Sequence, residues 1–367
     1  MRRLQRLVAA APLVVAKVRL ILSPGRRHRL VSDRHRDAAT WTFAVPPAVT
    51  APWNGDSSSF RLLNRAHSVF AFRAGDRQLV LKLVDDRDEA TLLEQIAWSE
   101  HLAGGGVRVA RAVASSAGRF VEPVAIKGRD PLLACAYEFV AGSTVDLFHA
   151  GSWDEQLLRR WGALSARTHA LAPSFTAPAG ATPRDLAAMR FDEVARLVIP
   201  PEHAAIIDAI EADMAWMRGL RRTPDVFGMI HADLTQANFI VADNGELVVF
   251  DFDASRQSWY AYDFAAILFS IEKLAVELPG KNAARILIER FFRAFIAGYA
   301  AVNGIPAWLP LVPRLIDFLH RVQVVAAFEG KRAVRVGALL DSPAASIDYH
   351  ALAQQNGARP LELSVSG

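Results

Sequence analysis

Ile230-His231-Ala232-Asp233-Leu234-Thr235-Gln236-Ala237-Asn238 is followed by Phe239-Ile240-Val241-Ala242, by Asp243-Asn244-Gly245-Glu246, and by Leu247-Val248-Val249-Phe250-Asp251-Phe252-Asp253. Two apolar β-forming runs flank an Asn-Gly pair, the strongest short-range hairpin signal. With Asn244 and Gly245 as a two-residue turn, Asn238 is expected to face Asp251 across the open end, about 5 Å away at Cα. A carboxamide and a carboxylate emerging together suit a hard cation such as Mg²⁺, which takes few protein oxygens and leaves positions for phosphate oxygens. Asp233, five residues before Asn238, falls near the same point, where a carboxylate can orient an attacking hydroxyl or take its proton. Singly, Asp233 and Asn238 read as turn residues, and Asp251 and Asp253 as the end of a strand. Their joint spacing favours a site.

Around this hairpin lie 367 residues, 52% of them hydrophobic, enough for one large core or two domains. The formal net charge is +4, and residues 1–37 hold ten Lys/Arg against two Asp. The remaining 32 Lys/Arg and 36 Asp/Glu make the body slightly acidic. The basic excess therefore belongs to one terminal extension, which argues against a nucleic-acid partner. The single cysteine, Cys135, lies in an apolar run; this excludes disulfides and a cysteine-based zinc site. No stretch reaches the roughly 18–20 uninterrupted apolar residues of a membrane span. Leu7 to Leu22 carries Pro12, Lys17 and Arg19 and follows Arg2, Arg3 and Arg6. A signal-like segment, a peripheral membrane contact through residues 1–30 and a solvated tail all stay open.

Residues 44–59 are dense in turn formers and read as a linker. Strands are expected at Phe60 to Asn64, Val69 to Arg73 and Gln78 to Val84, then a helix from Arg87 to Leu102 ended by Gly104-Gly105-Gly106. Further strands are expected at Gly118 to Ile126 and Leu132 to Val140. From Trp153 onward the pattern is mainly helical, with one β interlude at residues 239–250. Phe264, Ile267, Leu268, Ile271, Leu274, Ala275 and Leu278 recur at helical spacing, and Asp263 before them is an expected N-cap. The expected order is a basic extension (1–45), a small β-rich lobe (46–141) and a larger helical lobe (142–367), an α+β architecture.

His231-Ala232-Asp233 through Asn238, then Asp251-Phe252-Asp253 and Tyr262-Asp263-Phe264, resemble the kinase superfamily, whose catalytic loop reads H-x-D-x-x-x-x-N. The chain is most similar to the aminoglycoside phosphotransferase family, which also includes choline kinase-like relatives. The resemblance spans roughly residues 58–330. It implies a bilobal protein-kinase-like fold with a nucleotide cleft between the lobes, ATP and Mg²⁺ as cofactors, Asp233 as catalytic base, and Asn238 and Asp251 as metal ligands. His231, Asp253 and Asp263 take supporting places, Asp263 as a brace of the catalytic loop, which is compatible with its reading as an N-cap. Ala232 stands where many relatives have Gly, and Ala254-Ser255-Arg256-Gln257 replaces an acidic, glycine-containing stretch.

Lys82, on the strand face of Val80 and Val84, is costly to bury unpaired. The resemblance places it against nucleotide phosphates, with Glu94 on the following helix as its partner. It also assigns phosphate contacts to the turn from Asn64 to Ser68, and adenine contacts to the backbone at Glu138 and Phe139. His169 is expected in the core. The implied activity is transfer of the γ-phosphoryl group to a hydroxyl of a small metabolite such as an amino alcohol, a sugar or a homoserine-like compound. Residues 254–330 hold no acidic cluster, which disfavours an aminoglycoside acceptor. A Ser/Thr protein kinase on the same fold and a catalytically silent nucleotide-binding protein are the alternatives. Dependence on ATP points to the cytoplasm, with the inner membrane face open to the basic extension.

Overall fold

The computed structural model describes residues 47–64, 68–84, 88–125, 131–145, 154–181, 183–275, 281–330, 336, 340 and 342–355. The expected basic extension, the centre of the Asn64–Ser68 turn and Leu278 lie outside them. The described residues form two compact units, one of residues 47–141 with 176–183, the other of residues 142–175 with those from 184 onward.

The first unit is built on strands β1 (Asp56–Asn64), β2 (Val69–Ala74), β3 (Arg77–Val84), β4 (Ala112–Val113), β5 (Glu122–Val124) and β6 (Leu132–Glu138). They form an antiparallel sheet in the order β1-β2-β3-β6-β4, with β5 also pairing β6. Successive side chains of β3 alternate between faces. Leu79, Leu81 and Leu83 enter one apolar cluster with Phe70, Phe72, Val49 and Trp53. Val84 enters another, with Cys135 of β6 and with Leu92 and Ile96 of helix α1 (Glu89–Gly104). Asp88 caps α1, its carboxylate accepting from Thr91 N at 2.7 Å.

Two expectations need correction here. The stretch expected as a linker packs into the core: Val49 and Trp53 are buried, Trp53 donates Nε1–H to Val113 O at 2.8 Å, and β1 begins at Asp56. The apolar body of one tryptophan outweighs the turn formers around it. The strand expected from Gly118 shortens to β5, because Ser115–Gly118 forms a turn closed by a hydrogen bond from Gly118 N to Ser115 O.

The second unit contains helices α2 (Glu155–Leu171), α3 (Phe191–Val198), α4 (Ala204–Arg218), α5 (Tyr260–Ala275), α6 (Lys281–Asn303), α7 (Val312–Glu329) and α8 (Tyr349–Gln355). It also holds two short antiparallel pairs, β7 (Phe227–Ile230) with β10 (Arg256–Trp259), and β8 (Phe239–Val241) with β9 (Leu247–Val249). The β7–β10 pair was not expected, since its strands are too short and mixed in character to show alternation.

Helices α2 and α6 pack with almost no gap, because glycine occupies both sides of the crossing. A Cβ on Gly162 would stand 1.8 Å from Phe295 O, and one on Gly298 would stand 1.8 Å from Arg159 O. Both are backbone atoms, so the helices themselves would have to separate. Gly298→Ala is therefore expected to lower stability by about 3 kcal/mol, at the upper end of overpacking penalties. The midpoint of urea unfolding checks this; an unchanged midpoint would mean that α6 can shift freely.

Candidate active site

β7 ends at Ile230, and the chain then runs through His231-Ala232-Asp233-Leu234-Thr235 into a 3-10 turn, Gln236–Asn238, which leads into β8. Each residue of this loop is pinned. Ala232 takes the left-handed conformation, φ 62°, and its N–H donates to Asp263 Oδ1 at 2.6 Å. Asp263 Oδ2 lies 3.1 Å from His169 Nε2, and His169 Nδ1 lies 3.1 Å from Tyr299 Oη. The two ring nitrogens thus bridge the Asp263 carboxyl group and the Tyr299 hydroxyl. Burial raises the Tyr299 hydroxyl above its ordinary range, so it stays protonated and able to donate. Leu234 O accepts from Trp161 Nε1 at 2.9 Å, which ties the loop to α2. His231, fully buried, lies with Nε2 3.2 Å from Phe250 O and tilts against the Phe252 ring; it anchors the start of the loop to the end of β9.

Asp233 and Asn238 come together. Asn238 Nδ2 donates to both Asp233 O and Asp233 Oδ2, each at 2.7 Å, and both residues are buried. With its NH₂ turned to Asp233, the amide leaves its carbonyl oxygen as the group that can face a cation. Asp251 caps the short 3-10 turn Phe252–Ala254 and is also left-handed, φ 63°. Left-handed backbone is rare away from glycine and is maintained where the surroundings impose it. The next residues are held by Arg184, whose guanidinium donates to Asp253 O at 2.5 Å and Ser255 O at 2.8 Å.

The register corrects the expected pairing. Phe239 pairs Val249, Ile240 pairs Val248 and Val241 pairs Leu247. Ala242 and Glu246 close the hairpin, so three residues, Asp243-Asn244-Gly245, form the loop, with Gly245 left-handed. Asn-Gly serves this bulged three-residue loop as well as the two-residue turn. Asn238 consequently opposes Phe250, whose N–H donates to Asn238 O at 3.0 Å, and Asp251 lies one residue beyond. Of the two readings of Asp263, the N-cap is corrected and the loop brace is what the structure shows. Asp263 lies inside the first turn of α5, which starts at Tyr260 directly after β10, so it does not cap the helix; its oxygens serve Ala232 and His169 instead.

The donor set remains one of oxygens, an amide carbonyl and carboxylates, which suits a hard divalent cation. Among the described residues no group of three or more His, Cys, Asp or Glu forms a metal cage, so such a cation would be completed by groups from outside the protein.

In the first unit, Lys82 and Glu94 are both buried, Glu94 to 1% exposure. Lys82 pairs Cys135 in register and shares its face with Val84, and those two residues pack against α1, the helix of Glu94. Asn64 ends β1, and Ser68 is left-handed, with its carbonyl accepting from Leu83 N at 3.1 Å. Glu138 N donates to Arg111 O at 2.9 Å, so of the two expected adenine contacts this N–H is already engaged; Phe139 is exposed.

Residues without a sequence signal complete the site. Arg256, standing in the unusual stretch after Asp253, is buried, donating to Ala254 O at 2.8 Å beside Met189 Sδ. It braces the backbone of this loop. His169 proves to be core and a brace at once. Lys273 on α5 has a nitrogen closed off from solvent, above the Phe269 ring at 3.8 Å; the carboxylates of Asp233 and Glu272 act on it electrostatically. Burial outweighs these carboxylates and lowers its pKa from 10.5 to about 7.

Residues 61–311 match the model of a family described as the phosphotransferase enzyme family. Amicoumacin kinase of Bacillus subtilis (strain 168) is 27% identical over 266 residues, covering 71% of this chain and 76% of that protein. Among solved structures, an amicoumacin kinase in complex with AMP-PNP, Ca²⁺ and Ami superposes with a TM-score of 0.68 at 21% identity, covering 89% of this chain and 94% of the other. A microcompartment-associated aminopropanol kinase gives 0.62 at 20% identity, covering 89% and 99%. These likenesses show the fold, the α+β architecture of protein-kinase-like phosphotransferases.

Two measurements test the loop. An L-residue in left-handed backbone costs roughly 1–2 kcal/mol, and glycine gives back roughly 0.5–1 in chain entropy, so Ala232→Gly should stabilise by up to about 1 kcal/mol. A clear loss in a urea titration would mean that the alanine methyl matters more than the strain. Lys273 predicts a pH effect. Between about 7 and 10.5 the unfolded chain binds a proton that the folded chain does not, so this group adds stability as pH rises through that window. Lys273→Met should flatten the rise in unfolding midpoint between pH 7 and 9.

Proposed function

Because this chain belongs to the phosphotransferase enzyme family, we propose that it moves the γ-phosphoryl group of ATP to a hydroxyl of a small metabolite, with Asp233 at the receiving hydroxyl. As a member of that family it is an enzyme, an ATP-dependent kinase. One observation carries the assignment of roles: the Asn238 amide is hydrogen-bonded through Nδ2 to the Asp233 carboxylate at 2.7 Å. A single side chain thereby fixes the carboxylate and presents its own carbonyl oxygen on the other side. Base and cation ligand are set relative to each other before any ligand arrives, which is the form electrostatic preorganisation takes in phosphoryl transfer.

In this reading Asp233 orients the attacking hydroxyl and takes its proton as the new O–P bond forms and the bond from the γ-phosphorus to the bridging oxygen breaks, with ADP as the leaving group. Asn238 Oδ1 and the Asp251 carboxylate would hold a divalent cation, Mg²⁺ by first choice. When bound, that cation would neutralise charge on the β- and γ-phosphates. Lys82 offsets further phosphate charge and Glu94 steadies it. Backbone groups around Asn64 and Ser68, and at Glu138 and Phe139, contribute to nucleotide binding. His231, Asp253 and Asp263 act through the backbone they support. Two relatives by sequence or fold, the amicoumacin and aminopropanol kinases, are named for small-molecule acceptors, which favours a small molecule over a protein acceptor here. Among the described residues no helix is long and apolar enough to cross a membrane. A peripheral contact through residues 1–30 and a cytoplasmic setting remain part of the proposal.

Asp233→Ala is expected to reduce phosphoryl transfer to an accepted alcohol by at least about 1,000-fold, in the range seen when a group acting in the transition state is lost. Affinity for ATP should stay within a few-fold of wild type. Transfer of the γ-phosphoryl label across a panel of hydroxylated metabolites measures the first, and calorimetric titration with AMP-PNP the second. Undiminished transfer would overturn the role given to Asp233.

A further inference from the structure

Helix α5 runs along the catalytic loop. Asp263 holds the Ala232 amide, and Ser270, two turns on, has its hydroxyl 3.5 Å from Gln236 Oε1 of that loop. Lys273 follows Ser270 by one turn, so its side chain leaves the helix on the flank that borders the loop. Its nitrogen is shielded from solvent and makes no hydrogen bond. The Phe269 ring, 3.8 Å away, covers one side of it. Glu272, the neighbouring carboxylate, acts on the lysine through space but gives its hydrogen bonds to other groups: it meets His320 Nε2 at 2.7 Å and accepts from Ser342 Oγ at 3.0 Å and Ala344 N at 3.3 Å. The Asp233 carboxylate acts on the lysine through space and is itself held by Asn238.

An ammonium carries three donors, and removing it from water is unfavourable unless something opposes that loss. A ring face opposes part of it, and a bound anion opposes the rest by favouring the protonated form. Three donors without an acceptor among the described residues, in the field of the carboxylate that receives the attacking hydroxyl, describe a subsite awaiting an anion. We propose that Lys273 binds the phosphate acceptor, its ammonium receiving an anionic group, carboxylate or phosphate ester, of the alcohol whose hydroxyl lies at Asp233. The acceptor is then a hydroxy acid or a phosphorylated alcohol. A free amino alcohol is disfavoured because it would bring a second cation towards Lys273. This assignment rests on the phosphotransfer reading only for placing the acceptor hydroxyl at Asp233.

The test uses the full chain saturated with AMP-PNP and Mg²⁺, titrated with matched alcohols: glycerate and glycerol 3-phosphate, and as counterparts glycerol and 1-amino-2-propanol. Binding is read by calorimetry and by the shift in melting temperature. At least one anionic alcohol should bind more tightly than its neutral counterpart, and Lys273→Met should weaken that binding by about 30-fold, as expected for loss of a charge-assisted hydrogen bond. Lys273→Arg should recover most of it. Affinity for glycerol should be equal in wild type and variant. Melting of each variant without ligand reports its folding, and Lys273→Gln serves if the methionine variant fails to fold. Carboxylate binding without phosphate binding, or the reverse, identifies the anion. The proposal is overturned if no anionic alcohol binds, if Lys273→Met binds it equally well, or if 1-amino-2-propanol binds best. Transfer of label from ATP to the same alcohols is measured separately. Anion binding without transfer would leave the Lys273 subsite standing and sink the phosphotransfer reading; transfer to neutral alcohols alone would do the opposite.

Discussion

The site is organised by one buried carboxylate. Asp263, 1% exposed, accepts from the Ala232 amide at 2.6 Å and meets His169 Nε2 at 3.1 Å. A buried carboxylate must have its oxygens satisfied. Here the partners come from the catalytic loop and from α2, while His169 in turn is bonded to Tyr299 on α6. Three helices that pack through apolar side chains are thus tied to one loop through polar ones. Apolar packing is tolerant of small shifts in orientation, whereas a hydrogen bond weakens steeply away from its geometry. The polar chain therefore sets where the loop sits within the limits that packing allows. Burial of such a charge is not in itself strongly stabilising; its consequence is positional.

This clasp also explains the backbone of Ala232. Its amide points at Asp263 from the left-handed conformation observed. The resulting bend delivers Asp233 to Asn238 as the chain leaves β7. A second left-handed residue, Asp251, turns the chain out of β9 at the corresponding place on the other arm. Strain concentrated at two residues on either side of a hairpin is the pattern of a site held open for a ligand. The remainder of the hairpin, with its regular ladder from Phe239 to Val249, carries none.

The composition of the hairpin was legible because alternation, Asn-Gly and the flanking carboxylates are local signals. Its register was not, since Asn244-Gly245 satisfies both a two-residue turn and a three-residue loop ending in left-handed Gly245, and the choice shifts every partner by one. The acidic residue before the apolar stripe of α5 was visible, but its role was ambiguous: N-cap and loop brace require the same residue type, and only the start of the helix at Tyr260 separates them. The β-rich first unit and helical second unit were readable from periodicity. Trp53 was hidden among turn formers, because a single large side chain leaves no period. The brace through His169 and Tyr299 joins residues 130 positions apart, and no local pattern could reveal it.

Acceptor specificity was the least legible property for a related reason. Arg256 and Lys273 are both basic residues close to the site in sequence, and composition treats them alike. The structure separates them by what surrounds each nitrogen. The Arg256 guanidinium is engaged with Ala254 O and Met189, so its charge serves the fold. The Lys273 nitrogen has an aromatic face on one side and no hydrogen-bond acceptor among the described residues, so in the proposed reading its charge is left for a ligand. A charge tied up in its own loop stabilises that loop whatever ligand arrives, whereas a charge without an acceptor discriminates between ligands. On α5 the same helix that holds the loop through Asp263 also bears Lys273, so in the proposed reading positioning of the reaction and choice of its acceptor fall to one helix.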